Sequence, residues 1–153
     1  KYSKPMKASV DYQGKKTFVK MGSYGVGVSR LVGAIIEAKY DDNKEIMKWP
    51  VPIAPYECVI LDSGSKVDGE SISKKALHLI DKLKDIDLIV DDTDDNISSK
   101  IKKFNLIGVP YQIILGSKTP EDAIEFRETG EESKIIKISE LSKIKKLIID
   151  KRN

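Results

Sequence analysis

From residue 56 onward, short apolar runs alternate with segments whose apolar residues recur every three or four positions, the pattern of strands separated by amphipathic helices. Residues 58–61 form a continuous apolar run suited to a strand buried on both faces. Residues 71–85 then place Ile72, Ala76, Leu79, Ile80 and Leu83 on one helical face. Residues 88–90 predict the next strand, a helix over 98–105 turns Ile97, Ile101 and Phe104 inward, and residues 111–115 predict a third strand after Pro110. Residues 124–126 and 135–138, divided by Thr129-Gly130, predict a hairpin, and residues 140–149 a final helix with Ser139 as its N-cap. Helical connections between strands imply right-handed crossovers and a parallel core, to which the hairpin adds antiparallel strands at or near one edge. The expected fold is therefore α/β, a mixed and mostly parallel sheet flanked by helices.

The first 55 residues follow another plan. A hairpin is expected from residues 7–10 and 17–20 around the turn signal Gln13-Gly14, its second strand reaching residue 21. The glycines Gly22, Gly25 and Gly27 follow, then Arg30 and a helix that carries Leu31, Val32, Ile35 and Ile36 at helical spacing. A glycine turn between strand and helix serves close packing, or it aims helix-start amides at an anion that arginine can grip. The lysine of a P-loop is absent, and the glycine spacing is not that of the dinucleotide fingerprint. A boundary falls within 41–55, where Asp41-Asp42-Asn43-Lys44 precedes Pro50, Pro52 and Pro55, which no regular helix accommodates. The upstream part is too small to bury a core by itself. An opening at Lys1 inside a recognisable motif is what a piece of a longer chain would show.

Composition narrows the chemistry. Of 153 residues, 40% are hydrophobic and 33% charged, ordinary for a water-exposed globular protein, and no apolar run is long enough to span a bilayer. The net charge of +3 is unevenly divided: residues 1–55 hold ten basic and five acidic side chains, residues 56–153 seventeen and nineteen. Nucleic-acid binding by the larger part therefore needs local clusters. Lys100, Lys102 and Lys103 are one candidate; Lys143, Lys145, Lys146, Lys151 and Arg152 are another, and either group also reads as a solvated helical face. Cys58, the single cysteine, excludes an internal disulfide, suits a reducing cytoplasm and reads as buried packing. His78, the single histidine, lies off the apolar face of its helix and reads as a surface residue. One Cys and one His cannot build a structural zinc site, and the acidic loop near residue 91 lacks the ligand spacing of an EF-hand, so no metal is expected.

Open α/β sheets gather ligands beyond the carboxyl ends of their strands, which points to the loops beginning at Asp62, Asp91 and Gly116. Asp91, Asp92, Asp94 and Asp95 crowd one of them. Carboxylates there can accept from base amino groups, while Tyr56 or Tyr111 can stack on an unpaired base. Equally, acidic residues before the helix near Ser98 complement its positive N-terminus.

Residues 21–30 resemble motif 3 of the bacterial-type prolyl-tRNA synthetases, a class II aminoacyl-tRNA synthetase family that typically reads MG-(C/S)-YGIGVSR there. The resemblance extends to Lys1-Tyr2-Ser3 with Met6, to Trp49-Pro50 with Ile53-Ala54-Pro55, to Asp91-Asp92, and to Leu106-Ile107-Gly108-Val109-Pro110, and so covers almost the whole chain. It implies that residues 1–48 are the C-terminal end of a class II catalytic domain, 49–55 a linker and 56–153 an anticodon-binding domain. It further implies an intact homodimeric, cytoplasmic enzyme that uses ATP with Mg2+ to activate L-proline as prolyl-adenylate and passes it to tRNA(Pro). This portion would hold no complete catalytic centre and no bound cofactor, and would mainly bind the anticodon. By resemblance Arg30 lies beside ATP, and Gly22, Ser23 and Gly25 line the proline pocket. Asp92, Asp94, Lys100 and Lys103 become candidates for anticodon contact. The family commonly reads DDR-x-x-R-x-G-x-K-(F)-x-D through that last region; here Lys100 is kept, while Thr93, Asn96, Ser98, Ile101 and Lys103 depart from it. Two rivals share the α/β pattern, a non-catalytic tRNA-binding or polymerase-accessory module and a small flavodoxin-like nucleotide-binding domain.

Overall fold

The structure, a computed structural model, describes residues 2–63, 72–117 and 119–152, which fall into two units, Lys1–Val32 and Gly33–Asn153. In the first, Gln13 and Gly14 both take positive φ, 51° and 75°, the geometry that matches a two-residue turn to the twist of its strands. They join β1 (Ser9–Tyr12) to β2 (Lys15–Phe18) in antiparallel register, Val10 opposite Thr17. The strands sit closer to the turn than expected, because the ladder ends at the Ser9–Phe18 pair. Beyond it, the Val19 amide donates to the Ala8 carbonyl at 3.1 Å and the Val19 carbonyl accepts from the Ser3 hydroxyl at 2.5 Å. The glycine stretch runs without regular structure into α1 (Val28–Lys39), which starts one turn earlier than its first apolar pair suggests.

In the second unit, the polar stretch expected as a linker approach turns back on itself. Its strands β3 (Tyr40–Asp41) and β4 (Ile46–Met47) pair antiparallel. The Asp41 carboxylate accepts from the amides of Asn43 and Lys44, a side-chain turn that the Asp-x-Asn-Lys pattern favours. The prolines that follow exclude a regular helix and leave a short 3-10 turn at Val51–Ile53.

The remaining strands form one sheet. β5 (Cys58–Asp62) lies parallel to β6 (Leu88–Asp91) on one side and to β7 (Tyr111–Leu115) on the other; β8 (Ala123–Glu128) and β9 (Lys134–Lys137) extend it antiparallel beyond β7, giving the order β6-β5-β7-β8-β9. This is the mixed sheet that the pattern predicted, with parallel ladders on both sides of β5 and the antiparallel hairpin at one edge; its ladders divide evenly between the two kinds. Between the strands run α2 (Lys74–Lys82) and α3 (Ile97–Ile107), and α4 (Leu141–Asp150) closes the fold.

Alternation along the strands assigns the helices to faces. Cys58, Ile60, Tyr111, Ile113, Leu115, Ile124 and Phe126 meet Ala76 and Leu79 of α2 and Leu141, Ile144 and Ile148 of α4. On the other face Val59, Leu61 and Ile114 meet Ile97, Ile101 and Phe104 of α3. Cys58 is buried as expected, and burial pushes its thiol well above the ordinary range. Arg152 forms a bidentate pair with the buried Glu57 just ahead of β5, holding that carboxyl below its usual range against the opposing effect of burial.

Helix ends follow their capping chemistry, with one correction. Ser73 caps α2 through the Ala76 amide, and Asn96 caps α3 through the Ser99 amide. The part of the expected α2 at Ser71 lies outside the described residues. Ser139 does not cap α4: the chain tightens into a 3-10 turn at Ile138–Glu140 directly after β9, and Glu140 stands at the cap position without a side-chain bond to the helix amides. β9 ends too close to the helix for an extended capping residue.

Gly108 ends α3 in the left-handed conformation at φ 85°. Its carbonyl accepts from the Trp49 amide, and the Trp49 indole donates to the Ile107 carbonyl at 3.0 Å. A Cβ at Gly108 would lie 2.6 Å from Met47 Cγ and 2.9 Å from Trp49 Cδ1. Gly108→Ala is therefore expected to destabilise the second unit by about 1–3 kcal/mol, measured as a lower urea midpoint; an unchanged midpoint would show that the β4 segment does not press on this cap.

Candidate nucleic-acid interface

Parallel pairing on both sides of β5 makes three strands end together, because Leu61 lies opposite Asp91 and Asp62 opposite Leu115. The terminal carbonyls there have run out of ladder partners, and side chains take over. Ser63 donates to the Leu115 carbonyl from both its amide and its hydroxyl, at 3.1 and 2.9 Å. The buried Asp62 carboxylate accepts from the Ser73 amide at 2.6 Å and the Ser73 hydroxyl at 2.9 Å, fixing the start of α2 against the end of β5.

The loop after β6 is folded around Asp91, which is 4% exposed. Its Oδ1 accepts from the Thr93 amide at 3.1 Å and the Thr93 hydroxyl at 2.6 Å. Lys103 Nζ lies 2.5 Å from Oδ2 and 3.9 Å from Asp95, and Lys100 Nζ lies 3.6 Å from Oδ1. The Lys103 contact is an ion pair without hydrogen-bond geometry, leaving Oδ2 with no hydrogen-bond donor. Burial alone would raise this carboxyl; the Lys103 charge, the two Thr93 donors and Lys100 outweigh it and bring it to about 2.

The predicted site residues divide. Asp92 and Asp94 are exposed on this loop, and Lys103 is partly exposed beside it. Lys100 is the correction: its side chain is 0% exposed, and its ammonium donates to the carbonyls of Asp62 at 2.7 Å and Asp91 at 2.9 Å. It belongs with Ile97 and Phe104 on the inward stripe of α3, so the surface cluster it was expected to share with Lys102 and Lys103 loses it. Tyr111 is also corrected, since it is 2% exposed and stacked on Phe126 with centroids 5.7 Å apart. Tyr56 is exposed, but it precedes β5 and so sits at the opposite edge of the sheet. In the second basic group, Lys145 pairs with Asp85, Lys143 with Glu140 and Arg152 with Glu57, which leaves less free charge than the sequence suggested. His78 is exposed on α2, as expected.

The hydroxyls of Ser63, Ser73 and Thr93 were not singled out from sequence. Only the Asp-x-Thr spacing of Asp91 and Thr93 carried a signal, that of a side-chain turn. In the first unit, Gly22, Ser23, Gly25 and Arg30 lie exposed along the glycine stretch and the first turn of α1. A Cβ at Gly22 would meet the Tyr24 hydroxyl at 2.6 Å, but that ring is 96% exposed and its far end can swing aside, so the contact alone does not demand glycine there. Among the described residues no helix is long and apolar enough to cross a membrane.

Comparison with known proteins places the edge in context. Residues 57–147 match the family described as the anticodon binding domain. A proline–tRNA ligase of Pelagibacter ubique is 56% identical over 146 residues, covering 94% of this chain and 33% of that protein. One from Aquifex aeolicus is 40% identical over 134 residues, covering 86% of this chain and 23% of its own length. A crystal structure of prolyl-tRNA synthetase from Cryptosporidium parvum, complexed with L-proline and AMP, is similar with a TM-score of 0.65 and 25% identity over 82% of this chain and 27% of that one. The chain thus spans about a third or less of the length of these relatives.

Because the Asp91 carboxyl lies below its ordinary value of 3.8 in the folded state, its contribution to stability is fully present above about pH 4 and is lost as pH falls toward 2. Asp91→Asn is expected to remove about 1–2 kcal/mol of acid-linked destabilisation between pH 5 and pH 2.5. Urea midpoints of both proteins at the two pH values measure it; parallel losses in both would show that the Lys103–Asp91 pair contributes nothing.

Proposed function

We propose that this chain, which belongs to the anticodon-binding domain family, is the tRNA-reading end of a proline–tRNA ligase. The observation that carries the reading is the alignment of a 56% identical ligase over 94% of the chain, which runs through both the glycine stretch and the sheet edge. On this reading residues 1–48 close a class II catalytic domain, 49–55 link it onward, and 56–153 bind the anticodon. The intact cytoplasmic homodimer activates L-proline with ATP and transfers it to tRNA(Pro).

The edge suits an unpaired RNA loop. Asp92 and Asp94 present acceptors for base amino groups, and Lys103 presents a cation held in place by Asp91. With Tyr111 buried and Tyr56 at the far edge, neither of the two expected rings supports stacking there, so hydrogen bonding carries the reading. The first unit leaves Tyr24, 96% exposed, together with Val26, Val28 and Val32 open to solvent, apolar surface that the rest of a catalytic domain would cover. Arg30 supplies fixed positive charge to the phosphates of ATP, and Gly22, Ser23 and Gly25 form the wall of the proline pocket. Among the described residues no acidic or His/Cys cluster is arranged to hold a metal ion, so no residue here is assigned to the magnesium that accompanies ATP. The accessory-module rival leaves Arg30 and its glycines without a task. The flavodoxin-like rival needs the glycine loop inside the sheet's first strand-to-helix turn, whereas it lies in the other unit.

Two experiments test the reading. The chain is expected to bind a tRNA(Pro) anticodon stem-loop and to lose about tenfold or more when an anticodon base is exchanged, or when Lys103 becomes Glu; affinity indifferent to the anticodon would overturn it. In the full-length polypeptide, Arg30→Ala is expected to cut proline-dependent ATP–pyrophosphate exchange by about a hundredfold while tRNA binding persists. Unchanged exchange would remove Arg30 from the ATP site.

A further inference from the structure

Lys100 is a cation at an inward position of an otherwise apolar helix face. An ammonium shut away from water is costly unless its three protons are met. Here two are met by main-chain carbonyls, those of Asp62 and Asp91, at 2.7 and 2.9 Å, and the charge is balanced by Asp91 Oδ1 at 3.6 Å. Those two carbonyls belong to the last residues of β5 and β6, where the parallel ladder stops and each chain departs into its loop. The helix that carries Lys100 is itself anchored one turn back, through the Asn96 cap. The ammonium therefore acts as a rivet among three elements: the end of β5, the end of β6 and the first turns of α3.

We infer that Lys100 is a positioning residue for RNA recognition: its buried ammonium ties the ends of β5 and β6 together and so sets where the loop after Asp91 leaves the sheet, and it does not itself touch the RNA. The inference rests on the anticodon-binding reading above and deepens it. Contact with a phosphate would require the side chain to abandon both carbonyls, leaving two strand-end acceptors unmet in a dry site. Asp92 and Asp94, on the loop that Lys100 tethers, owe their placement to it. Lys103, on the same helix and paired with the same carboxylate, keeps 38% of its side chain exposed and is the residue able to meet RNA.

The two roles predict different salt dependence. Losing a phosphate contact reduces the slope of log affinity against log salt by about 0.7–0.9, whereas losing a rivet lowers affinity at every salt concentration and leaves the slope alone. Lys100→Met in the full chain is expected to bind the tRNA(Pro) anticodon stem-loop about tenfold more weakly, with an unchanged slope and faster amide hydrogen exchange at residues 92–95; Lys100→Arg restores part of both. A shallower slope with unaltered exchange would overturn the inference, and so would wild-type affinity.

Should Lys100→Met fail to fold, the unmodified chain decides. The Lys100 ammonium protons are expected to give a slowly exchanging NMR signal whose shift is the same with and without the stem-loop, and a signal that moves or vanishes on adding RNA would overturn the inference. If the unmodified chain does not bind the stem-loop, the anticodon-binding reading fails instead, and the ammonium signal with the exchange rates at residues 92–95 still reports whether Lys100 fixes the loop after Asp91.

Discussion

Parallel pairing of β5 with a neighbour on each side is the constraint from which the rest of the second unit follows. A strand so placed is buried on both faces, as all five residues of β5 are, and its partners cannot reach it through tight turns. They return through α2 and α3, which must then cover opposite faces of the sheet. The antiparallel hairpin of β8 and β9 can only extend the free side of β7. Three strand ends converge as a result, and their terminal carbonyls are left for side chains to satisfy.

What satisfies them is unusually charged for a protein interior. Asp62, Asp91 and Lys100 are all nearly inaccessible, yet each is tied to main chain or to another charge. A buried ion pair contributes little net stability after desolvation, but breaking one leaves an uncompensated charge and is costly. Such groups are better understood as fixing geometry than as stabilising the fold. Farther along the α3 face, Gln112, Asn105, Arg127 and Thr129 form a second polar network, in which Arg127 donates to Gln112 and Asn105 and Thr129 donates to the Val109 carbonyl. It ties β8 to α3 where the apolar contacts thin out.

The two units differ in how much of their apolar surface they cover. The second carries two dry clusters, one on each face of its sheet. In the first, the hairpin strands and the opening turn of α1 expose Val10, Tyr12, Phe18 and Leu31. A hairpin with a single helix cannot exclude water from its own apolar side chains. The glycine stretch between them is accordingly shaped by local chemistry, such as the Tyr24 ring over Gly22, and not by a surrounding core.

Local pattern determined a good deal. The five residues of β7, the inward trio of Ile97, Ile101 and Phe104, the Gln13-Gly14 turn and the α/β class were all legible, because period and turn chemistry are properties of neighbouring residues. The resemblance to synthetase motif 3 was likewise a matter of consecutive letters. Tertiary structure alone decided that Lys100 faces inward and that Tyr111 is stacked against Phe126 instead of facing solvent. Those outcomes depend on partners far away in the chain: a lysine goes inside only when two strand ends happen to offer it carbonyls. Whether a side chain meets a ligand or the protein itself is settled by what the fold brings beside it, which no local spacing records.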